Sequence, residues 1–394
     1  MDEESQYIRS PLSVFTTDLY AEFIKQQNDS TIGNLLVSPV SIWIALSMME
    51  AGSGGDTRKE LISGLRMPAQ LQDEKLHKII SNKLMRCFES DSGLQISFAD
   101  RLFILKPARV QKRFRTIVQS CYKSDVGELG NLESVDAKRS RINAWIHDNT
   151  HRKIKELVPA DTINAETSLT LINTVYFKGL WQEAFNTAET YDGEFHNLDG
   201  STMNVKMMRH QASYLFAKLG DLKATVIKVP FQRNEWEMMI VLPDEIDGLP
   251  TLLSSLRNPG AIESILRSQL NFKRVVLHLP RFRLGEPGAL DLKRTLRCLG
   301  INSLFESDKA DLTGLCEHVS LPLSEIFHKA ILEVDENGTR AAVDTAISVK
   351  RAAMSRNIRI EDVYVNHPFV LAILYGRSIP VFIGHVTNPQ DFVA

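Results

Sequence analysis

Cysteine is scarce and scattered. The four thiols, Cys87, Cys121, Cys298 and Cys316, form no CxxC pair and fall short of a disulfide scaffold, so reduced thiols in a reducing compartment are expected. No run of 18 apolar residues occurs, so no transmembrane helix is expected. The first residues, MDEESQYIRS, lack the apolar core of a signal peptide. That predicts a cytoplasmic protein, or an extracellular one that leaves by signal-less release. Neither sign of charge dominates: 46 Lys and Arg stand against 48 Asp and Glu, a net charge of −2. Such a balance gives no general pull toward nucleic acid or a membrane.

Motifs that carry chemistry are also missing. The 10 histidines form no HExxH and no metal-spaced cluster with cysteine. There is no GxSxG nucleophile elbow. The glycines from Gly52 to Gly55 lack the Gly-Lys-Ser/Thr ending of a phosphate loop. The expectation is therefore no catalytic residue, no metal and no cofactor: not an enzyme. No tandem repeat, low-complexity tract or linker divides the chain. Residues 1–394 read as one domain, and a monomer is expected. At 43% hydrophobic and 24% charged, the chain can bury an ordinary globular core.

What is present alternates between helical and strand periods. Leu12, Phe15, Leu19, Phe23 and Ile24 space a helix over 11–28. Ser38 is a good N-cap and Pro39 a good first residue for a helix through Ile42, Leu46 and Met49. Gly52 to Gly55 breaks it, and Asp56 or Thr57 is expected to cap the next. Residues 72–89 read as a helix and 94–105 as a strand. An amphipathic segment covers 142–158, with Ile142, Trp145, Ile146 and Thr150 on one side. LTLINTVYFKGLW, from Leu169 to Trp181, is a buried strand ended by Gly179. Short strands are predicted at 188–196, 203–218, 223–230, 235–242 and 275–284. A helix over Leu290–Leu299, a strand at 326–339 and a closing strand pair in 366–389 complete an α+β chain.

Two stretches invite a functional reading. Between Lys106 and Lys123 lie six basic residues and no acid. A solvated face accounts for them; the alternative is an anion site for a sulfated polysaccharide at Arg109, Lys112, Arg113 and Arg115. The second stretch runs from Glu333 to Asn366. It opens on the acidic turn Asp335-Glu336-Asn337-Gly338, where Gly338 adopts positive φ cheaply and reads as a hinge. Next, Thr339, Ala341, Val343, Thr345 and Ile347 are small or apolar at alternate positions, while Arg340 and Asp344 fall between them. That is the period of a half-buried strand. It leads into Lys350–Arg359, basic, polar and aperiodic, the mark of an exposed loop open to proteolysis. An ordinary strand with a surface loop fits this pattern. So does a segment that is loop in one state and strand in another.

The run Asn173, Tyr176, Phe177, Lys178, Gly179 and Trp181, the segment HKAILEVDENGTRAAVDTA, and VNHPFVLAIL after it resemble the serpins, in particular the signal-less ovalbumin-type members. So does NLLVSPVSIWIALSMMEAGSGG, and the resemblance runs in order through almost the whole chain. Two departures are Arg152, where glycine is usual and another turn conformation would be needed, and Val381, where leucine is usual. The resemblance implies a serpin fold of three β-sheets and eight to nine α-helices, with an exposed reactive-centre loop at about 338–359. It implies a hinge at Glu333, Gly338, Thr339, Ala341, Ala342, Val343 and Thr345. It places Ser38, Ser41, Asn173 and His328 where the central sheet opens, although His328 taken alone reads as a structural histidine.

The function it implies is suicide-substrate inhibition of a serine protease, with a cysteine protease as a second class. The protease cuts the loop, is held as an acyl-enzyme, and the cut loop enters the central sheet. In typical inhibitory members the residue before the cut bond lies fourteen positions beyond the hinge glycine, which here is Ala352. The bond Ala352–Ala353 suits an elastase-like pocket. The neighbouring bond Arg351–Ala352 suits a trypsin-like pocket that pairs a guanidinium with a carboxylate. A non-inhibitory serpin, a chaperone or a carrier of ligand or polyanion, is the alternative. Thr339 and Ala341 favour the inhibitor, because charge at inward positions costs several kcal/mol to bury. The sequon Asn337-Gly338-Thr339 lies in the hinge, where a glycan would obstruct insertion.

Overall fold

The computed structural model describes residues 3–27, 32–68, 74–90, 93–131, 134–285, 290–319, 321–338 and 360–389, with side chains from Ile8 onward. Helix α1 (Glu3–Gln26) buries the predicted stripe of Leu12, Phe15, Leu19, Phe23 and Ile24. Strand β1 (Leu35–Val37) leads into α2 (Pro39–Glu50), which starts as predicted. The Ser38 side chain accepts the Ser41 N–H at 3.4 Å, and Pro39 stands where no donor is needed. Every residue of α2 is buried, so it is a core helix rather than a surface one. Helix α3 (Gly55–Gly64) is capped by Gly54 without a side-chain bond. The expected caps Asp56 and Thr57 instead fall in its first turn. Thr57 Oγ1 is taken by the Asp311 N–H at 2.9 Å and so ties the helix to a distant loop.

Helix α4 (Glu74–Ile79) continues as one wide turn, Ile80–Leu84, and one tight turn, Met85–Phe88, so the helix expected over 72–89 is irregular. Then come β2 (Leu94–Ile104), α5 (Lys112–Tyr122), β3 (Val126–Glu128), α6 (Val135–Asn149) and β4 (Leu169–Gly179). Four strands follow, β5 (Tyr191–His196), β6 (Thr202–Leu219), β7 (Ala224–Pro230) and β8 (Trp236–Pro243). After α7 (Leu249–Leu256) and α8 (Ala261–Arg267) come β9 (Asn271–Pro280), β10 (Phe282–Leu284), β11 (Leu290–Asp291) and α9 (Leu292–Cys298). The last strands are β12 (Leu323–Val334), β13 (Glu361–Tyr364), β14 (Phe369–Tyr375) and β15 (Ile379–Val386).

One sheet has the order β10-β12-β4-β2-β3, with β11 also on β12. The second network has the order β1-β15-β14-β8-β7-β6-β9-β13, with β5 on β6. It comprises two sheets that share β6, whose first part pairs with β5 and β9 and whose end pairs with β7. The three anticipated sheets are thus present, two of them joined. The predicted segment 275–284 spans the crossing: only Arg281 separates β9 in one network from β10 in the other.

Within the first sheet, β4 and β12 run parallel and pair directly, from Leu169 to Phe177 against Leu323 to Leu332. Helix α6 packs on this sheet. Its Ile142 and Ile146 join Phe103, Ile172, Tyr176 and Ile331 in one buried cluster, as the amphipathic spacing predicts.

The turn after α6 corrects one expectation. Arg152 does not force a different conformation. It takes the left-handed backbone itself, at φ 63°, next to His151 at φ 48°. That geometry lets the Arg152 N–H close the helix end on the His147 carbonyl at 2.9 Å. A β-carbon in this region costs about 1 kcal/mol. Arg152→Gly is therefore expected to stabilise the protein by up to about 1 kcal/mol, which at about 2 cal/mol/K per residue is a rise of roughly 1 °C in the melting midpoint. Calorimetry checks it; a lower midpoint would show that the arginine side chain contributes more than the backbone loses.

Candidate functional site

At the middle of the seam, Asn173 on β4 and His328 on β12 are register partners. Both are fully buried, as are Ser38 and Ser41 at the start of α2. The sequence-predicted quartet is therefore brought together. His328 Nε2 accepts the Ser38 N–H at 3.2 Å, so the ring proton sits on Nδ1, which donates to Asn173 Oδ1 at 2.6 Å. Ser41 Oγ donates to the same oxygen at 2.8 Å, and Asn173 Nδ2 donates to the Ser41 carbonyl at 3.2 Å. One helix start is thus clasped to both strands. An imidazolium would present a second N–H toward the Ser38 N–H, with nothing there to accept it. Burial accordingly holds the His328 pKa down at about 3.

The second half of the site lies where β12 ends. Glu333, Asp335 and Glu336 are all buried, at 4–8% exposure, and isolated carboxylates there would be very costly. Each is compensated. Tyr176 donates its hydroxyl to Glu333 at 2.8 Å, with Lys153 and Arg283 both at 3.8 Å. Burial, and after it the Glu333 carboxylate, push the Tyr176 phenol pKa up, so it stays a donor. Asp335 pairs with Lys178 at 2.6 Å and accepts the Asn337 N–H at 2.9 Å. Glu336 accepts from Thr190 Oγ1 at 2.9 Å and faces Arg281 at 3.9 Å. Trp181 completes the clamp: its Nε1–H donates to the Asp335 carbonyl at 2.7 Å and its backbone N–H to Asn337 at 3.0 Å.

Gly338 forms an isolated parallel bridge with Trp181, and its role differs from the one expected. It is not among the glycines with positive φ. Glycine is needed there for space, because a β-carbon would lie 2.7 Å from Ala184 Cα and 2.8 Å from the Trp181 carbonyl oxygen. Sequence reasoning named Glu333 and Gly338 here, but read Asp335 and Glu336 as a plain acidic turn and missed Tyr176, Lys178, Trp181, Arg281 and Arg283 as their partners. The available signal was the motif of Tyr176, Lys178 and Trp181 itself, which puts a phenol, an ammonium and an indole N–H at one strand end. The anticipated hinge and bond residues Thr339, Ala341, Ala342, Val343, Thr345, Arg351, Ala352 and Ala353 lie outside the described residues. The chain is described again from Ile360, and β13 pairs parallel with β9.

The basic stretch divides. Arg115 is committed to Asp125 at 2.8 Å and to Glu128, and Arg109 lies 3.4 Å from Glu317. Lys112 and Arg113 are exposed. Among the described residues no group of three or more His, Cys, Asp or Glu is placed to hold a metal, and no helix is long and apolar enough to cross a membrane.

The His328 clasp predicts a pH dependence. Its pKa falls from about 6.5 unfolded to about 3 folded, so between those values the unfolded chain binds more protons. Stability is complete above pH 6.5 and drains away as the pH drops toward 3. Buried His385, lowered to about 4, acts in the same direction. By pH 4 the His328 share amounts to roughly 3 kcal/mol. Denaturation midpoints of wild type and His328→Gln from pH 7.5 to 4 should show a shallower acid slope in the variant; equal slopes would assign the acid sensitivity to other groups.

A family model described as Serpin (serine protease inhibitor) matches residues 11–389. The chain is 31% identical over 373 residues to Ipis-1 of Ixodes persulcatus, covering 94% of this chain and 96% of that protein. It is 32% identical over 385 residues to the leukocyte elastase inhibitor of Sus scrofa, covering 96% and 99%. The fold matches uncleaved ovalbumin with a TM-score of 0.86 at 23% identity, covering 97% of this chain and 100% of that one. It matches the native stressed conformation of AtSerpin1 of Arabidopsis with a TM-score of 0.85 at 26% identity, covering 99% of each. A match over nearly the full length of sequence and fold, with the clasped seam at its centre, shows that the chain belongs to the serpin family.

Proposed function

We propose that this serpin inhibits serine proteases as a suicide substrate, with the loop at about 338–359 as bait. The observation that supports it most is the direct parallel pairing of β4 with β12. A loop that leaves the end of β12 and turns back would enter between the two strands antiparallel to both. One parallel ladder is then exchanged for two antiparallel ladders, which are the more stable per residue. Reactive-loop insertion of this kind is an established example of strand addition. In the chemical step the protease serine attacks the carbonyl carbon of Ala352. The amide bond to Ala353 breaks, Ala353 leaves with a new amino terminus, and an ester holds residues up to Ala352 on the enzyme. Insertion then carries that enzyme away from its resting place before water can attack the ester. Opening the seam breaks the backbone ladder between β4 and β12 and, at its centre, the His328–Asn173 bond.

Ala352 suits an elastase-like enzyme, and one relative bears the name leukocyte elastase inhibitor. Arg351 would instead suit a trypsin-like enzyme. The four free cysteines, three of them buried, fit a reducing compartment such as the cytoplasm. A sulfated polysaccharide would be met chiefly by Lys112 and Arg113, since Arg115 and Arg109 are already engaged by acids. Incubation with pancreatic elastase and pancreatic trypsin is expected to give, with elastase, a complex that survives denaturing electrophoresis. Mass spectrometry should then find a released peptide that begins at Ala353. A peptide beginning at Ala352 would move the bond to Arg351–Ala352, and cleavage without any stable complex would favour a non-inhibitory serpin.

A further inference from the structure

Seven large hydrophobic residues are exposed among the described residues, and four of them gather on one sheet lobe: Tyr191 at 40%, Phe272 at 75%, Ile360 at 48% and Tyr364 at 48%. The strand registers place Phe272 on β9, Tyr364 on β13 and Ile360, just before β13, on a single face. Tyr364 is the register partner of His278, and Glu361 that of Val275, so Ile360 stands beside Arg274. Phe272, Arg274, Val276 and His278 alternate along β9 and share one face with Ile360 and Tyr364. The opposite face carries Val275, Leu277 and Val363, all in the core. The aromatic end of the outer face is fixed in place. The Tyr364 ring stacks on His278 with centroids 4.1 Å apart, and the Tyr191 hydroxyl lies 2.8 Å from His278 Nδ1. Rigid exposed tyrosines and a phenylalanine with an arginine among them are the anchors from which protein interfaces are built.

The position of this face identifies its occupant. Ile360 lies eight residues beyond Ala352, a tether of at most about 29 Å when fully extended. A protease domain of about 220 residues has a radius of gyration near 17 Å, a body about 40 Å across. An enzyme that size with Ala352 in its cleft comes within reach of the strand that begins at Glu361.

We infer that the outer face of β9 and β13, with Phe272 and Ile360 at the end nearest the loop and Tyr364 at the other, is a second contact surface for the protease held on the loop. This rests on the inhibitor reading above. The face adds encounter affinity and takes no part in insertion, so it sets how fast a protease is captured and leaves unchanged the fraction captured per cut.

The test measures second-order rate constants of covalent-complex formation with pancreatic elastase and pancreatic trypsin. Wild type, Phe272→Ser/Ile360→Ser and the control Val14→Ser, on exposed α1 surface, are compared. The double variant is expected to trap the preferred enzyme at least tenfold more slowly, since truncating an anchor commonly costs fivefold or more. Its stoichiometry of inhibition and melting midpoint should match wild type, and the control should keep the wild-type rate. An unchanged rate in the double variant overturns the proposal. So does a lost rate accompanied by a changed stoichiometry or midpoint, which would mean a damaged sheet. If light scattering shows a wild-type dimer that the double variant dissolves, the face belongs to a second copy and the proposal fails. If wild type forms no covalent complex at all, the inhibitor reading fails and this inference with it.

Discussion

Two parallel strands, β4 and β12, sit side by side where their sheet has room for a third only if they part. The rest of the structure is arranged around that seam. Ile142 and Ile146 of helix α6 share one buried cluster with Tyr176 and Ile331 on the two strands of the seam. The start of α2 pins it from beneath through Ser38 and Ser41. A net hydrogen bond is worth only about 1 kcal/mol, so the clasp of Asn173 and His328 does not lock the seam. It holds a neutral imidazole in one tautomer.

The far end of β12 is held differently. There, three buried carboxylates meet Lys153, Lys178, Arg281, Arg283 and the Tyr176 hydroxyl. Buried ion pairs stabilise little compared with well-packed apolar groups, but breaking one partner away is expensive. Such a cluster favours an all-or-none event over gradual fraying. Gly338 lies at its edge against Trp181 and Ala184, with no space for a side chain. The clamp therefore fixes the end of β12, the point from which the proposed loop departs.

Much of this was legible in the sequence, for reasons that differ from place to place. Ser38-Pro39 could be read because capping is local chemistry. The strand from Leu169 to Gly179 and the α6 stripe could be read because burial leaves a period. The quartet of Ser38, Ser41, Asn173 and His328 is spread over nearly 300 residues and was reachable only through family resemblance. Asp335 and Glu336 were misread because buried acids next to a glycine look like a solvated turn until their cations are placed around them. Gly338 was assigned for the wrong reason, since a sequence shows that glycine is present but not whether φ or space demands it. Arg152 shows the converse: a backbone that prefers glycine can persist when a helix-closing hydrogen bond offsets the strain. The basic stretch looked uniform because Asp125, Glu128 and Glu317, which take up Arg115 and Arg109, lie outside it in sequence.

The central claim is that β4 and β12 must separate for the protein to work. Val175 and Ala330 are register partners across the seam, and both are buried, a spacing within reach of a disulfide. The most direct measurement is protease trapping by Val175→Cys/Ala330→Cys, oxidised and then reduced. The account predicts that the oxidised protein is cut in the loop and releases the protease, and that reduction restores the stable complex. Trapping by the oxidised protein at the wild-type stoichiometry would contradict it.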